Sequence, residues 1–422
     1  MTPTPPTPEQ AKQLFAERER RIYDTVALKP VDRVPIIMFT MFWHARQAGM
    51  KIGEAMYDYD ALGAALRQAV IELQPDAFVP AHQLGAIGPT MELMGYRQLK
   101  WPGNGTGDDS PYQYIDREYM AAHEYDEYIE DPSWFVITKL LPRVADAFAP
   151  FAALPRYAGI MHLRLIHSMR SFRDPAWASG FERLARAGEE MERAFASSAR
   201  VHQELAALGF PIGQGPSSQA PYDYFSDYMR GSKGAMLDMF RRKDKLLEAM
   251  ERCVPIITRA AIDAGSVHPS KLVFFPMHWG LDGFMSLPQF KTFFWPQLRR
   301  VLTGVIDAGL IPLVLWEGDV ASRLETIADI PRGKAIYWFE RTDLARAKAV
   351  LGDIVCLRGN VPASLLNTGT PDEVRECCRR LIATAGKGGG FILDGGVGIP
   401  DEARPENVRA MFRAVHEFGR YD

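Results

Sequence analysis

Five apolar runs of strand length in the second half of the chain each carry a polar residue at or near their end, and each precedes sequence of helical character. They are 271–280 with His278, 311–319 with Glu317, 334–343 with Glu340, 353–361 with Arg358, and 390–398 with Asp394. Near-continuous apolar runs are typical of strands buried on both faces of a parallel sheet. The pattern therefore predicts a parallel sheet whose strand ends present polar groups along one edge.

Three further candidate strands, 34–44, 76–82 and 210–215, lie in the first half of the chain, and helical sequence covers 59–73, 181–208 and 233–264. Alternation of strand and helix predicts an α/β fold with a parallel sheet. Eight units in 422 residues favour a single (β/α)₈ TIM barrel, whose chemistry lies at the carboxyl ends of the strands. No GxGxxG follows the first strand and no GxxxxGK[ST] occurs, so dinucleotide-binding and P-loop folds lose support.

The expected organisation is an N-terminal tail and helix over 1–29 and a barrel over 30–422, with an insertion at about 100–143. That insertion is dense in Gly, Asp and Tyr and lacks a long apolar run. Aromatic side chains need surfaces on which to pack, so we expect an ordered cover over the active site.

Composition excludes several classes of partner. The formal net charge is −3 and the pI is near 6.3, so neither nucleic acid nor an anionic membrane surface is an expected partner. Four irregularly spaced cysteines fit a reducing cytoplasm better than a disulfide framework. No stretch approaches the roughly 20 apolar residues of a membrane span, and no export segment is evident, so we expect a cytoplasmic enzyme.

Several motifs resemble the uroporphyrinogen decarboxylase superfamily, whose relatives include cobalamin-dependent methyltransferases. The resemblance covers nearly the whole chain and is most specific in the last hundred residues, in IPLVLWEGD, in YWFERTDLARAKAVLGDIVCLRGNVP and in DGGVGIPDEARPENVRAMFRAVHEFGRY. KPVDRVP, residues 29–35, is similar to that family's entry to its first strand. The resemblance implies a divergent member of the superfamily with a barrel fold.

The resemblance also implies roles for individual positions. Arg46 matches the first arginine of the decarboxylase's paired-arginine motif, whereas Met50 stands at the second. Tyr228 stands where that family keeps its catalytic tyrosine. The family's serine and late histidine fall on His278 and Val397, so strict porphyrinogen decarboxylation is not expected.

The methyltransferase branch of the family holds zinc at positions that fall on Leu315, Glu317, Glu340 and Val397. The glutamate is kept and both thiolates are absent, which disfavours thiol activation. His278, Glu317 and Glu340 could instead hold zinc or another divalent metal in an oxygen-rich site. Such a site suits an ether or phenol oxygen as substrate.

The remaining candidates concern catalysis and substrate contact. Tyr228, His278 and Asp394 are the candidate catalytic residues, and Arg46 and Arg358 are candidate anchors for an anionic group. His82, Trp279 and Trp316 are further candidate contacts with substrate. Trp43, Trp101 and a tyrosine cluster of the insertion are expected to complete an apolar lining.

Three hypotheses follow from these residues. In the first, the metal acts as a Lewis acid during methyl transfer (O-demethylation) from a small aromatic substrate to a corrinoid carried by a partner protein. In the second, a cofactor-independent lyase or decarboxylase uses Tyr228 or His278 to protonate a carbanion, with arginines holding a carboxylate or phenolate. In the third, the barrel is a binding or scaffold protein. Each candidate carboxylate also has a structural alternative as an ion-pair partner, and a homodimer is compatible with the sequence.

Overall fold

The structure is a computed structural model that describes residues 5–80 and 86–421. Its strands are β1 Ile37–Met38, β2 Ala77–Phe78, β3 Leu99–Pro102, β4 Gly105–Thr106, β5 Gln113–Tyr114, β6 Leu272–Met277, β7 Ile311–Trp316, β8 Ile336–Phe339, β9 Cys356–Val361 and β10 Phe391–Gly395.

Helices surround these strands. In chain order they are α1 Pro8–Val26, α2 Trp43–Gln47, α3 Ile52–Ala55, α4 Tyr59–Leu73, α5 Gly88–Met94, α6 Tyr125–Glu130, α7 Pro132–Phe135, α8 Leu141–Val144, α9 Leu163–Ser168, α10 Pro175–Ala206, α11 Pro221–Tyr228, α12 Gly231–Arg241, α13 Lys243–Val267, α14 Leu287–Gln289, α15 Trp295–Asp307, α16 Leu324–Ile327, α17 Leu344–Leu351, α18 Ala363–Thr368, α19 Pro371–Thr384 and α20 Pro405–Phe418. The predicted α/β class with a parallel sheet is confirmed.

Parallel pairing is the main feature of the sheet. Five strands pair in the order β10, β9, β8, β7, β6, and β1 pairs with β2. Single parallel bridges extend this pairing, since Ile36 pairs with Leu393 of β10 and Ser217 pairs with Phe274 of β6. A further parallel bridge joins Phe78 of β2 to Ile212. The two sheets are therefore linked on both sides.

The third expected strand, 210–215, is not a regular strand, since it contributes only a bridge at Ile212 before the bridge at Ser217. Pro211 and Pro216 flank it, and proline has no N–H to donate to a strand ladder. The expected helix 233–264 is divided into α12 and α13 at Arg242. Helix 59–73 has the expected limits.

Two apolar clusters form the core. One lies among the strands and combines side chains of β1, β2 and all five strands of the larger sheet with Ile22 and Val26 of α1: Ile37, Ala77, Leu272, Leu313, Ile336, Cys356 and Ile392 are among its members. The larger cluster lies between strands and helices. Because alternate strand residues point to opposite sides, each strand contributes to both clusters.

The inserted segment is ordered and begins with a small sheet in which β3 pairs with β4 and β5. Arg230 fixes it to the body of the protein, since its guanidinium bonds to Glu118 at 2.9 Å, to Asp238 of α12 at 2.6 Å and to the carbonyl of Met120. The side chain of Gln98 also donates to the carbonyl of Tyr228 at 3.1 Å. The insertion thus lies against α11, close to the strand ends.

Among the helices of the described ranges, none has both the length and the apolar character needed to cross a bilayer.

Candidate active site

The register of β6, β7 and β8 places three predicted residues side by side. Met277 pairs with Trp316 and Trp316 pairs with Phe339, so the next residues, His278, Glu317 and Glu340, lie in one row across three adjacent strand ends. Backbone bonds from the amides of the two glutamates to the preceding strand continue this row, at 3.3 and 3.2 Å. The sequence therefore brings these groups together because each terminates its strand at the same level.

His278 is held by Asp227 of α11. Its Nδ1 lies 2.6 Å from the Asp227 carboxylate, whose other oxygen accepts a 2.5 Å bond from the indole N–H of Trp279. On the other side of the ring, Nε2 lies 3.6 Å from the carboxylate of Glu317, and 28% of the His278 side chain is exposed. The imidazole therefore has a fixed orientation with Nε2 directed to the strand ends.

Asp223, one turn before Asp227 on α11, positions the backbone of the same segment. It is fully buried, and its carboxylate accepts bonds from the backbone amides of His278 at 3.0 Å and Trp279 at 3.3 Å. Burial and the nearby Asp227 carboxylate raise the pKa of Asp223, while His278 lowers it. Asp223 thus couples α11 to the end of β6 without facing solvent.

Carboxylates dominate the electrostatics at His278. Burial disfavours the imidazolium, but the bond to Asp227 and the charges of Asp223 and Glu317 raise the pKa of His278 to about 9. Glu317 lies in a recess where 38% of its side chain is exposed, and desolvation by the surrounding protein raises its pKa against the opposing effect of His278. Glu340 accepts a 2.6 Å bond from the amide of Gly318 and contacts Arg341. At neutral pH His278 is therefore an imidazolium, with a proton on both ring nitrogens.

Tyr228 lies on α11 beside this group. Its hydroxyl oxygen accepts a 2.6 Å bond from the amide of Gln219, so its own O–H is available to donate. Burial, and then the nearby Tyr114 and Asp227, raise the pKa of Tyr228, which keeps the phenol neutral. Tyr114 of the insertion is 67% exposed, and desolvation by the surrounding protein and the nearby Asp227 and Glu317 carboxylates raise its pKa, which places this residue near the site.

His278, Glu317 and Glu340 were predicted to hold a metal ion. Among residues 5–80 and 86–421, no group of three or more His, Cys, Asp or Glu side chains has a geometry that could hold one. Nε2 of His278 lies 3.6 Å from the Glu317 carboxylate, and one Glu340 oxygen accepts a bond from the amide of Gly318. The arrangement of His278, Glu317 and Glu340 does not fit a metal site in this form, and the predicted zinc or other divalent ion stays a prediction.

Arg358 and Asp394 have a different environment from the one expected. Both are fully buried, and Nε and Nη2 of Arg358 bond to one oxygen of Asp394 at 2.8 and 2.6 Å. The guanidinium also lies 3.9 Å from the centre of the Trp338 ring. Arg358 pairs in register with Trp338, two residues below the level of Glu340, which explains why the ion pair lies beneath the polar row. Of the three nitrogens of the Arg358 guanidinium, Nη1 is the one that lacks a partner among the described residues.

The tryptophans expected to line the site mostly do not. Trp316 is fully buried and packs against Phe290 on the helix side of the sheet, because it precedes Glu317 and faces the opposite way. Trp43 and Trp101 are buried as well, and bond to a backbone carbonyl and to a tyrosine hydroxyl. Trp279 alone of these four contacts the His278 group.

Arg46 and His82 contribute little to the described site. The guanidinium of Arg46 lies 3.4 Å from Glu402 in a largely exposed ion pair, and no contact with the His278 group is seen. His82 lies outside the described residues.

Sequence reasoning missed Asp223, Asp227 and Gln219, whereas Tyr114 belongs to the tyrosine cluster of the insertion that was expected to line the site. The two aspartates are four residues apart, a spacing that puts both on one face of a helix, and Asp227 directly precedes Tyr228. That spacing was the available signal, but it did not reveal which strand end the helix face would meet.

Comparison with known proteins places these observations in a family context. The uroporphyrinogen decarboxylase (URO-D) family model matches residues 191–418, more than half of the chain. Proteins named uroporphyrinogen decarboxylase from Chromohalobacter salexigens and Pseudomonas fluorescens are 30% identical over 175 residues and 29% identical over 192 residues. These matches cover 41% and 44% of this chain, and the chain spans about half the length of the two relatives, 47% and 52%.

Among solved structures, a methyltransferase from Methanosarcina mazei superposes with a TM-score of 0.61 at 18% sequence identity. The superposition covers 95% of this chain and 98% of the methyltransferase. At this level of identity the likeness shows a shared fold.

Proposed function

The chain belongs to the uroporphyrinogen decarboxylase family, and on that basis we propose that it is an enzyme that demethylates an oxygen of a small aromatic substrate. The methyl acceptor in this proposal is a corrinoid carried by a partner protein, which supplies the nucleophile for the methyl carbon. We also propose that the linked parallel strands close into a (β/α)₈ barrel, with His278, Glu317 and Glu340 at its mouth. The pairing of Ile36 with Leu393 and of Ser217 with Phe274 supports that closure.

The observation that carries the proposal is the fixed imidazole of His278 between Asp227 and Glu317. When the bond between methyl carbon and oxygen breaks, the oxygen gains negative charge. A substrate oxygen that contacts Nε2 beside the Glu317 carboxylate would receive the Nε2 proton and leave as a neutral phenol. Proton donation by a positioned side chain contributes on the order of 10² to 10⁴ in rate.

Tyr228 would bind the same substrate oxygen or a neighbouring one. Its O–H is free to donate because Gln219 already donates to its oxygen. Tyr114 and Trp279 would provide aromatic contact to the ring of the substrate. The derived steps are therefore binding, orientation and proton transfer by residues of this chain.

The charge around His278 favours a substrate without a carboxylate next to the reacting oxygen. Asp223, Asp227 and Glu317 act on the His278 imidazole and Glu340 acts on Glu317, so a negatively charged group would be repelled there. Arg358, expected to hold such a group, is already bonded to a carboxylate of the protein. A methoxylated phenol or another neutral aryl ether would not be repelled by these carboxylates and does not need a free arginine.

Although their arrangement does not fit a metal ion here, His278, Glu317 and Glu340 are the residues that would hold a divalent ion such as zinc, and such an ion would supply Lewis-acid polarisation of the substrate oxygen in place of the proton. Since Nε2 of His278 cannot hold a proton and a metal at once, the two modes exclude each other. Metal analysis of protein purified without chelator distinguishes them.

A second candidate is a lyase or decarboxylase that acts on a carboxylated or phenolic molecule. Its support is the name of the matched relatives and the buried Nη1 of Arg358, which lacks a partner among the described residues. In this reaction His278 or Tyr228 would protonate the carbanion that remains after carbon dioxide leaves.

The experiment measures methylation of cob(I)alamin from methoxyphenols by its change in absorbance, and carbon dioxide release from the matching benzoates. We expect methylation by the unaltered protein, a loss of at least about 100-fold in His278→Gln, and little change in His123→Gln, an exposed matched control. Carbon dioxide release without methylation would assign the second candidate. Full methylation activity in His278→Gln would exclude the proposed proton donor.

A further inference from the structure

A surface segment outside the proposed site has an unusual composition. The basic arm, defined as residues 157–173, contains three arginines, two histidines and no Asp or Glu. The whole chain has a formal net charge of −3, so the arm carries +3 and the other residues carry −6. The net charge of the chain therefore hides a local positive region.

The basic arm also exposes large apolar side chains. It consists of a 3₁₀ turn, Tyr157–Ile160, the short helix α9 and a second 3₁₀ turn, Met169–Arg173, and no residue in it is buried. Exposure reaches 74% for Tyr157, 58% for Leu163 and 64% for Ile166. Scattered exposed apolar residues are normal, but a contiguous set of them indicates a surface that another body covers.

The two properties are arranged on different sides of α9. At 100° per residue, Leu163, Leu165 and Ile166 fall on one half of α9, while Arg164 and His167 fall on the other half. Arg164, Arg170 and Arg173 form no ion pair with any residue of the described ranges. The charges are therefore available to a partner.

The arm is nevertheless held in place. The rings of Phe172 and Trp177 lie 4.7 Å apart, and the indole N–H of Trp177 donates to the carbonyl of Ser171 at 3.1 Å. Trp177 is buried at the start of α10 and also contacts Phe151 and Phe181. This aromatic group anchors the end of the arm, so the apolar side chains project from a fixed base.

We propose that the basic arm binds the surface of an anionic lipid bilayer. Apolar side chains that enter the boundary between headgroups and acyl chains, with arginines beside them at the anionic headgroups, are the features of interfacial segments. Each arginine near an anionic surface strengthens binding by roughly fivefold, so three contribute on the order of 100-fold. Contact between the arms of two copies of this chain is less suited, because it would bring like charges together.

The test is co-sedimentation of the full chain with vesicles of phosphatidylcholine and phosphatidylserine in a ratio of roughly two to one, and with vesicles of phosphatidylcholine alone. We expect binding to the anionic vesicles, weakened on the order of 100-fold by Arg164→Glu/Arg170→Glu/Arg173→Glu and by salt at ~0.5 M. The matched control Arg20→Glu/Arg241→Glu/Arg413→Glu reverses three exposed arginines outside the arm and should bind like the unaltered chain. A second variant, Leu165→Ser/Ile166→Ser/Met169→Ser, keeps the charge and should also bind less.

Three results would overturn the proposal. The first is absence of binding to either kind of vesicle. The second is equal loss of binding in the arm and control variants. The third is a dimer, seen by sedimentation velocity without lipid, that the arm variants abolish while vesicles capture none of the protein, which would assign the arm to a second copy. An acidic protein partner would likewise give no vesicle binding.

Discussion

The buried pair of Arg358 and Asp394 allows a quantitative prediction, because the two partners differ in how they can escape isolation. Arginine stays charged under all ordinary conditions, whereas an aspartate can take up a proton. Burial already raises the pKa of Asp394 to about 6 although Arg358 lowers it. Removing the aspartate should therefore cost more stability than removing the arginine.

The magnitudes follow from burial and from the two hydrogen bonds. Asp394→Leu leaves a fully buried guanidinium without its partner, which should reduce the free energy of unfolding by about 3–5 kcal/mol. In Arg358→Met the carboxyl can be neutralised, and protonating a group of pKa near 6 at pH 7 costs about 1.4 kcal/mol. Loss of the arginine raises that pKa further and reduces the cost. The double variant Arg358→Met/Asp394→Leu should lose much less stability than the sum of the two single losses.

Unfolding in urea, followed by circular dichroism, measures these differences. In Arg358→Met the folded-state pKa of Asp394 lies above its unfolded value of about 3.9, so the folded state binds a proton that the unfolded state releases. In the unaltered chain the same carboxyl has a pKa of about 6, so the stability of this variant relative to the unaltered chain should increase as the pH falls from 8 towards 6 and change little below that. Equal losses in the two single variants, or losses below about 1 kcal/mol in Asp394→Leu, would refute the reasoning.

Three further predictions concern other groups. If protonated His278 is the acid, activity should be lost as the pH rises through about 9. Asp227→Asn removes the carboxylate charge that helps to raise this pKa, so the loss should move to lower pH in the profile of kcat/KM, and an unchanged profile would contradict the assignment. Two bonds from the partly exposed Arg143 lower the pKa of Glu124 to about 2. Glu124→Gln should therefore reduce the free energy of unfolding in urea by about 1–2 kcal/mol at pH 7, and this difference should shrink as the pH falls from about 4.5 towards 2. In Gly215→Ala the new Cβ would lie 2.5 Å from a carbonyl oxygen of β6, which should reduce the free energy of unfolding by about 1–3 kcal/mol. In Gly188→Ala of α10 the new Cβ meets no atom within 4 Å, so this variant should have a higher melting temperature. Similar melting of both variants would count against the steric argument.

The sequence alone was enough to predict the α/β class and most of its elements. Buried strands and amphipathic helices leave periodic patterns that are local, so helix 59–73 and the five C-terminal strands could be located from residue order. The family resemblance is confirmed by the match over 191–418. The short irregular segment at 210–215 was predicted less well, because flanking prolines and glycines prevent a regular ladder without removing the apolar character of the segment.

The candidate site divides in the same way. That His278, Glu317 and Glu340 would be neighbours was predictable, since consecutive parallel strands end at one edge. Only the tertiary structure decided that Asp227 binds His278, that Arg358 and Asp394 satisfy each other below the row, and that Trp316 faces the helices. Strand ends are set by short-range pattern, whereas a side chain's partner depends on register, on side and on which helix packs there, and those are properties of the assembled layers that residue order does not encode locally.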